Sequence, residues 1–257
     1  MKGDIKMIKL ENVVLASPDQ MEFIIQGMRN PMNSWEKSDS YAGHECMGVG
    51  NEYFKLGEND HSLMKKLSQA GTDHRKYMRM MPVYVRITAP LYWWKEFDTY
   101  KVGTVANSCS TMHKIAEKEF TLEDFSYEHL IEDYVYTYPL GGGWRGLSSV
   151  DILNATIELL NNARKLYLGT LSSDDSIGIS ENRKDIWWQM IQLLPSSYNQ
   201  TRNVMLNYEV LSNMYHSRKN HKLDEWREFC KWIEELPYSE LIIGEEVSSS
   251  GNFDVRR

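Results

Sequence analysis

The sequence predicts an α+β protein, with a small antiparallel or mixed sheet and a helical C-terminal half. Between Pro82 and Thr88, small apolar residues alternate with Tyr84 and Arg86, which is the pattern of a strand with one buried face. Residues 5–17 form an earlier apolar run that predicts one long strand or a strand pair. After residue 148 the apolar residues recur at helical spacing instead.

The N-terminal half contains further elements around these strands. Residues 18–28 suit a short helix, which follows Ser17 and begins with a proline. The polar, glycine-containing stretch 30–60 predicts a loop, and residues 61–70 predict a second helix. Pro90 suits the first turn of a third helix that runs to about Thr99.

The C-terminal half starts with a capping-box pattern, Ser148 with Asp151 three residues later. The helix after it carries an apolar stripe, namely Leu153, Ile157, Leu160 and Tyr167. Residues 171–184 predict a polar loop, and three more helices are expected at 184–194, 200–218 and 222–235. We therefore expect one domain over residues 1–243, followed by a small, polar, disordered tail over 244–257.

Composition limits the classes of function. The chain has 257 residues, 42% of them hydrophobic and 25% charged, as in an ordinary globular protein. A net charge of −7 argues against a large nucleic-acid interface, and no apolar run is long enough to span a membrane. The three cysteines have no CxxC spacing and the seven histidines form no HExxH motif, so we expect no metal site. This cysteine usage favours a reducing compartment, and we expect a cytoplasmic protein.

The segment from His74 to His113 has an unusual order of features: a strand, Ala89-Pro90, an aromatic helix, and a run of small polar residues. This order resembles the signature region of the flavin-dependent thymidylate synthases. His74 matches the histidine of that pattern, and Thr99-Tyr100-Lys101 stands where the family has Arg-His-Arg. The small polar positions that follow match at Thr104, Asn107 and Ser110.

A second block supports the same resemblance. Leu194-Pro195 lies twelve residues before Asn207, as in the family. Further matches are Leu211, Arg218, His221, Glu225 and Arg227. With the N-terminal VVLASPDQ segment, the matching blocks cover about three-quarters of the chain.

The resemblance implies a homotetramer with active sites between subunits, in which FAD and a pyrimidine deoxynucleotide such as dUMP bind in contact. The implied reaction is methyl or one-carbon transfer to C5 of the pyrimidine, with NADPH as a possible reductant and a folate as a possible donor. The expected cofactor-binding residues are His74, Thr99, Tyr100, Lys101, Asn107 and Asn207. The expected substrate-binding residues are Glu96, Ser110 and Arg218. No residue is assigned as catalytic.

Several positions depart from the family pattern. Thr99 and Tyr100 replace Arg and His, and Met112 replaces an arginine two residues after Ser110. Glu96 replaces a glutamine, and Glu209 replaces an arginine beside Asn207. All of these except Tyr100 remove a cation or add an anion where the family handles anionic ligands.

Three interpretations follow. The first is a divergent enzyme that acts at C5 of a pyrimidine nucleotide through altered contacts. A carboxylate at Glu96 could accept a hydrogen bond from the exocyclic amine of cytosine, which would suit a cytidine nucleotide. The second is a non-catalytic nucleotide-binding or protein-interaction protein on the same fold. The third is an unrelated helical binding module.

Other motifs have competing explanations. Gly141 to Gly146 matches G-x-G-x-x-G, but no second βαβ unit follows, so we expect a flexible loop. Arg145 at its tip is a candidate to close over an anionic substrate. Cys109 is either a nucleophile or, as we favour, a buried structural thiol. The Trp93-Trp94 and Trp187-Trp188 pairs are expected to pack within or between subunits.

Overall fold

A computed structural model of the protein describes residues 8–44, 52–133, 136–140, 143–170 and 182–244. The N-terminal elements are β1 (Lys9–Leu15), α1 (Pro18–Arg29), β2 (Tyr41–His44), β3 (Glu52–Lys55), α2 (Glu58–Gln69), β4 (Pro82–Pro90), α3 (Leu91–Phe97) and β5 (Val105–Ser108). The later elements are β6 (Tyr136–Leu140), β7 (Gly143–Leu147), α4 (Ser149–Leu168), α5 (Arg183–Leu193), β8 (Asn199–Asn207), α6 (Tyr208–Arg218), α7 (Asp224–Glu234) and α8 (Glu240–Ile243). Short 3-10 helices lie at Asn30–Met32, Trp35–Lys37, Lys76–Met80 and Leu122–Asp124.

The predicted α+β class is confirmed. A four-stranded sheet has the order β1-β4-β8-β5, and two antiparallel hairpins, β2–β3 and β6–β7, lie outside it. The predicted strand at Pro82 is β4: Val83, Val85 and Ile87 are buried, whereas Tyr84 is 48% exposed.

The predicted helix starts also hold. Ser17 and Ser148 each cap a helix, α1 and α4, and each forms a reciprocal capping box with the residue three positions later. In the box of α4, the Ser148 backbone N–H donates to the Asp151 carboxylate at 2.9 Å, and the Asp151 N–H donates back to the Ser148 hydroxyl at 3.1 Å. These bonds satisfy backbone donors that a helix start otherwise leaves without partners.

Two predicted segments are wrong. Residues 30–60 were expected to form a loop but contain two 3-10 helices, the β2–β3 hairpin and the start of α2. Residues 200–218 were expected to form one helix, but the first part is strand β8 and only Tyr208–Arg218 is helical. The inward-facing positions of β8 include the polar Gln200, which hides the alternation that marks a strand.

The chain divides into two compact units. Unit 1 contains residues 1–11, 86–99 and 106–204, and unit 2 contains residues 12–85, 100–105 and 205–257. In unit 1, helices α4 and α5 pack together, and Phe120, Phe125 and Leu160 belong to the buried cluster beneath them. The predicted tail from 245 onward and most of the predicted loop 171–184 lie outside the described residues.

In unit 2, a buried carboxylate organises the segment before α2. Asp60 accepts hydrogen bonds from the Arg29 guanidinium at 2.6 Å and from the Ser38 hydroxyl at 2.8 Å. The Asp39 and Ser40 backbone amides donate to the same carboxylate at 3.0 Å. Burial alone would raise the pKa of Asp60, but the hydrogen bonds from Ser40, Ser38 and Arg29 outweigh it and hold that pKa below its usual value. No helix within the described ranges is long and apolar enough to cross a membrane.

Candidate functional site

A polar cavity of about 490 Å³ lies in unit 1, and Ser110 of the signature segment is on its wall. Volumes of roughly 300–1,000 Å³ are usual for small-molecule sites. The lining residues are mostly hydroxyl-bearing or charged: Lys9, Glu11, Thr88, Cys109, Ser110, Thr111, Lys118, Thr121, Glu123, Asp124, Tyr198, Asn199, Gln200 and Thr201.

The wall that carries Ser110 is fixed to strand β8. The Cys109 backbone N–H donates to the Thr201 carbonyl at 2.9 Å, and the Gln200 side-chain amide donates to the Cys109 carbonyl at the same distance. Between the neighbouring strands β4 and β8, the Thr88 and Thr201 hydroxyls share a hydrogen bond of 2.7 Å. The Ser110 hydroxyl accepts from the His113 backbone N–H at 2.9 Å, so Ser110 is held in a turn at the cavity wall.

The charges in the cavity differ from those of a purely cationic phosphate site. Lys9 and Lys118 are outnumbered by three carboxylates, those of Glu11, Glu123 and Asp124. Lys118 forms an ion pair with Asp124, and that hydrogen bond raises the pKa of Lys118. An anionic ligand group would therefore compete with Asp124 for the Lys118 ammonium.

Tyr198 and Cys109 also line this cavity. Burial raises the pKa of the Tyr198 phenol, so it remains protonated near neutral pH. Cys109 is exposed, so the expectation of a buried structural thiol is wrong. Cys109 directly follows β5, its backbone is hydrogen-bonded to β8, and it lines the cavity. Buried, unreactive thiol character belongs instead to Cys230, whose pKa is raised to about 12 by burial.

The other predicted residues of unit 1 are spread over separate elements. Glu96 lies half-buried on α3, and the Thr99 hydroxyl donates to its backbone carbonyl at 2.7 Å. Asn107 is exposed on β5 and does not line the cavity that Ser110 lines. Arg145 was expected at a loop tip but lies within strand β7, where its backbone pairs with Tyr138. The hairpin places this part of the glycine-rich motif in a strand; Gly141 and Gly142 lie outside the described residues.

Sequence reasoning missed an arginine in unit 1. The Arg202 guanidinium lies 4.1 Å from the centroid of the Trp94 ring and donates to the Asp98 carboxylate at 2.7 Å. Trp93 and Trp94 are almost fully buried, which confirms that this pair packs within the chain. An arginine in a presumed helix gave no signal of this stacking, because the contact depends on β8 being a strand.

In unit 2, the structure brings Tyr100 and Arg218 together. The Arg218 Nε donates to the Tyr100 hydroxyl at 2.9 Å, and the Arg218 guanidinium lies 4.9 Å from the Trp226 ring centroid. Arg218 is the last residue of α6 and Trp226 lies in α7. One predicted cofactor residue and one predicted substrate residue thus form a single contact pair.

Asn207 lies next to the segment 100–105, which carries Tyr100. Its side chain caps α6 by accepting from the Val210 N–H at 2.9 Å. A Cβ on Gly103 would lie 2.8 Å from the Asn207 side-chain nitrogen, and Gly103 also has a φ of +82°. Glycine is therefore required where the 100–105 segment passes Asn207. Lys101 is exposed on this segment, and His74 is exposed in a turn closed by its N–H bond to the Gly71 carbonyl.

Glu209 is neutralised by arginines that sequence reasoning did not connect with it. Arg79 forms two hydrogen bonds to its carboxylate, one of them at 3.1 Å, and the Arg75 Nε lies 3.6 Å from the same group. Glu209 is only 8% exposed. The anion that replaces the family's arginine beside Asn207 therefore adds no net negative charge, because the three side chains together carry +1. This donor set is compatible with an anionic cofactor such as FAD.

No group of three or more His, Cys, Asp or Glu side chains that could hold a metal occurs among the described residues. Comparison with protein-family models and with curated proteins returns no match. Solved structures do match. Two structures of thymidylate synthase X from Helicobacter pylori with FAD and dUMP are 16% and 15% identical to this chain, with TM-scores of 0.53 and 0.52. Each match covers 91% of this chain, and 94% and 95% of the respective Helicobacter chains.

A second protein matches over similar lengths. The UMP/dUMP methylase PolB from Streptomyces cacaoi, bound with 5-Br dUMP, is 13% identical with a TM-score of 0.51, and the match covers 88% of each chain. At these identities the likeness concerns the path of the backbone. The chain therefore has the fold of the flavin-dependent thymidylate synthases, with its own set of side chains at the signature positions.

Proposed function

We propose that this protein binds a pyrimidine deoxynucleotide and modifies its C5 position by flavin-linked methyl or one-carbon transfer. The observation that carries the proposal is the position of Ser110. It comes from the signature segment, and it lines a polar cavity of about 490 Å³. The solved structures of the same fold add support. The Helicobacter protein is named a thymidylate synthase and was crystallised with FAD and dUMP, and PolB is named a UMP/dUMP methylase and was crystallised with 5-Br dUMP.

The side chains of the cavity suit a polar ligand. Ser110, Thr111 and Thr88 offer hydroxyls that donate or accept, and Lys118 offers an ammonium. We assign the base and sugar to the hydroxyl-rich wall. The phosphate is assigned to Ser110. Arg218, at a position where the resemblance implies substrate binding, remains a separate substrate-binding prediction. Arg145 remains a substrate-binding prediction.

We assign the flavin to His74, Thr99, Tyr100, Lys101, Asn107 and Asn207. When bound, FAD would supply the redox chemistry, with NADPH as reductant and a folate as one-carbon donor. The protein groups would orient the ring and offset the pyrophosphate charge, to which Lys101 and the Arg75–Arg79–Glu209 cluster contribute. A cytoplasmic homotetramer with active sites between subunits completes the proposal, and light scattering of the purified protein measures its mass.

The first experiment measures flavin and nucleotide binding directly. Bound flavin absorbs at about 450 nm, and we expect this band in the purified protein or after FAD is added. Calorimetric titration with dUMP, dCMP and dTMP then defines the nucleotide. We expect Ser110→Ala to weaken nucleotide binding, and Thr156→Ala on α4, outside the cavity lining, is the control. A protein that takes up neither flavin nor any of the three nucleotides would refute the proposal.

A non-catalytic nucleotide-binding protein is the second candidate. It is favoured by position 99, where the family has an arginine. Here the Thr99 hydroxyl donates to the Glu96 backbone carbonyl of α3. Nucleotide binding without flavin uptake would select this function. A preference for dCMP over dUMP would instead support the enzyme with an altered base contact through Glu96, whose carboxylate can accept from the cytosine amine.

A further inference from the structure

We propose that helices α4 and α5 form a self-association surface, on which a second copy of this chain packs with its α4 antiparallel to the first. This surface, called the α4 surface below, consists of an apolar stripe on α4 and a groove between α4 and α5, all within unit 1. It shares no lining residue with the polar cavity that Ser110 lines. Its use therefore does not depend on the proposed activity.

Helix α4 has apolar residues on two faces. One face, which includes Leu153 and Leu160, is buried in the core of unit 1. The second face carries Ile152, Leu159 and Leu166 at intervals of seven residues, and the first two of these are exposed. Side chains seven residues apart lie within about 20° of one another on an α-helix, so the three form a single stripe. A second apolar stripe that is open to solvent is typical of a helix that contacts a partner.

A groove of about 400 Å³ lies beside this stripe. Four residues from each helix line it: Leu159, Asn162, Ala163 and Leu166 from α4, and Asp185, Ile186, Gln189 and Leu193 from α5. The methyl group of Ala163 leaves room between the larger side chains on either side of it. The α4 surface therefore combines a ridge of leucines with a groove that can receive such a ridge, which is how helices pack on one another.

The charges beside the stripe indicate that a second copy covers it. Glu158 and Lys165 each precede a leucine of the stripe by one residue, so both lie on the same flank of α4, about 100° from the stripe. They are separated by about 10 Å along the helix axis, which is too far for a direct ion pair between them. If two α4 helices packed in parallel, each of these charges would face its own like charge in the partner. In an antiparallel pair, each Glu158 faces the partner's Lys165, and the helix dipoles also oppose each other.

The two-fold axis that pairs these charges also matches the sizes of the apolar side chains. The midpoint between Glu158 and Lys165 lies between residues 161 and 162. About an axis at this point, Leu159 comes level with the partner's Ala163, so that a large side chain meets a small one at the centre. Leu166 comes between the partner's Thr156 and the partner's Leu159. A segment of a different protein would require no such symmetry in α4, so the pattern favours a second copy as the occupant.

The first test places a charge at the centre of the stripe. Leu159→Lys is compared with Leu168→Lys, because the two leucines are 48% and 44% exposed and Leu168 lies on the opposite side of α4. Sedimentation velocity of the full chain measures the mass. We expect the wild-type protein and Leu168→Lys to form a dimer or a larger even-numbered assembly, and Leu159→Lys to have half that mass. Circular dichroism confirms that each variant retains its helices.

The second test reverses the charges on the flank. Glu158→Lys and Lys165→Glu each place like charges opposite each other, and the two-fold axis repeats every such contact. Each single change should raise the dissociation constant of the contact by about tenfold, and the double reversal should restore the wild-type value. Sedimentation equilibrium measures all three variants. In a parallel pair, every variant would keep like charges opposite each other, and none would differ from the wild type.

A wild-type protein that stays monomeric would overturn the proposal and would leave the groove to a segment of its own chain or to a different partner. A Leu159→Lys variant with the wild-type mass would also overturn it, as would a double reversal that recovers nothing. A monomer that binds a nucleotide would refute the α4 surface and leave the nucleotide function standing. A dimer that Leu159→Lys dissociates, and that takes up neither flavin nor nucleotide, would refute the proposed function alone.

Discussion

Asn161 on α4 ties the backbone of Phe120 to the helix through both of its amide atoms. The Phe120 N–H donates to the Asn161 side-chain oxygen at 2.8 Å, and the Asn161 side-chain nitrogen donates to the Phe120 carbonyl at 2.8 Å. Both residues are buried. Phe120 lies between Lys118 and Thr121, which line the cavity, so Asn161 fixes a stretch of the cavity wall.

We expect Asn161→Ala to lower the free energy of unfolding strongly. Each buried backbone group that loses its partner costs about 1–3 kcal/mol, so two groups cost about 2–6 kcal/mol. Alanine is the better helix former by about 0.5 kcal/mol, which offsets a small part of the loss. The net destabilisation is about 2–5 kcal/mol, which corresponds to a fall in Tm of roughly 5–15 °C in a chain of this size.

Asn154→Ala is the matched control, because Asn154 is exposed in the interior of the same helix. It carries the same gain in helix propensity without the loss of the two hydrogen bonds. Urea unfolding followed by circular dichroism measures both variants. If Asn161→Ala proved as stable as Asn154→Ala, the two bonds to Phe120 would have no net worth and the reasoning would be refuted.

Three further predictions concern charge and thiol chemistry. Asp124→Asn should strengthen dUMP binding and Lys118→Gln should weaken it, because Asp124 competes with the ligand for the Lys118 ammonium. Calorimetry measures both affinities, and equal effects of the two changes would contradict this reasoning. Asp60 has a pKa lower in the folded protein than in the unfolded chain, so it contributes stability above a pH of about 4 and loses it as the pH falls through the folded pKa. Asp60→Asn should therefore lose stability at neutral pH and flatten the acid side of the stability profile; an unchanged profile would count against the ion pair. Cys109 should react quickly with a thiol reagent, whereas Cys230, which is buried and has a pKa of about 12, should not react at the same pH. Quantitative labelling of Cys230 in the folded protein would disprove its burial.

The parts of the fold that sequence predicts are those whose signals are local. The alternation at Val83, Val85 and Ile87 is complete within β4, and the capping box at Ser148 lies within four residues, so both predictions are confirmed. The sequence predicts a helix where β8 lies, because Gln200 and Arg202 occupy positions at which an apolar residue would show the alternation of a strand. Arg202 is accommodated there by stacking on Trp94, a contact between residues far apart in the chain.

In the candidate site, too, the sequence predicts some residues and misses others. The signature spacing brought Ser110 and Arg218 forward as candidates, because spacing survives when side chains change. It could not show that Lys118 shares a cavity with Ser110, since nothing in the segment between them has a regular pattern. The presence of Glu209 in place of an arginine indicates added negative charge. Its partners Arg75 and Arg79, about 130 residues away in the chain, neutralise that charge.

The cluster of Glu209 with Arg75 and Arg79 restricts the order in which this region can change. Glu209→Arg alone, which would restore the family's residue, places three guanidinium groups together beside a largely buried position. Arg79→Glu made first leaves Glu209 with Arg75 as a counter-charge, and the arginine at 209 then becomes acceptable. A mutational path between this chain and a family-like sequence therefore runs through position 79 before position 209, and the two changes should be strongly non-additive in stability.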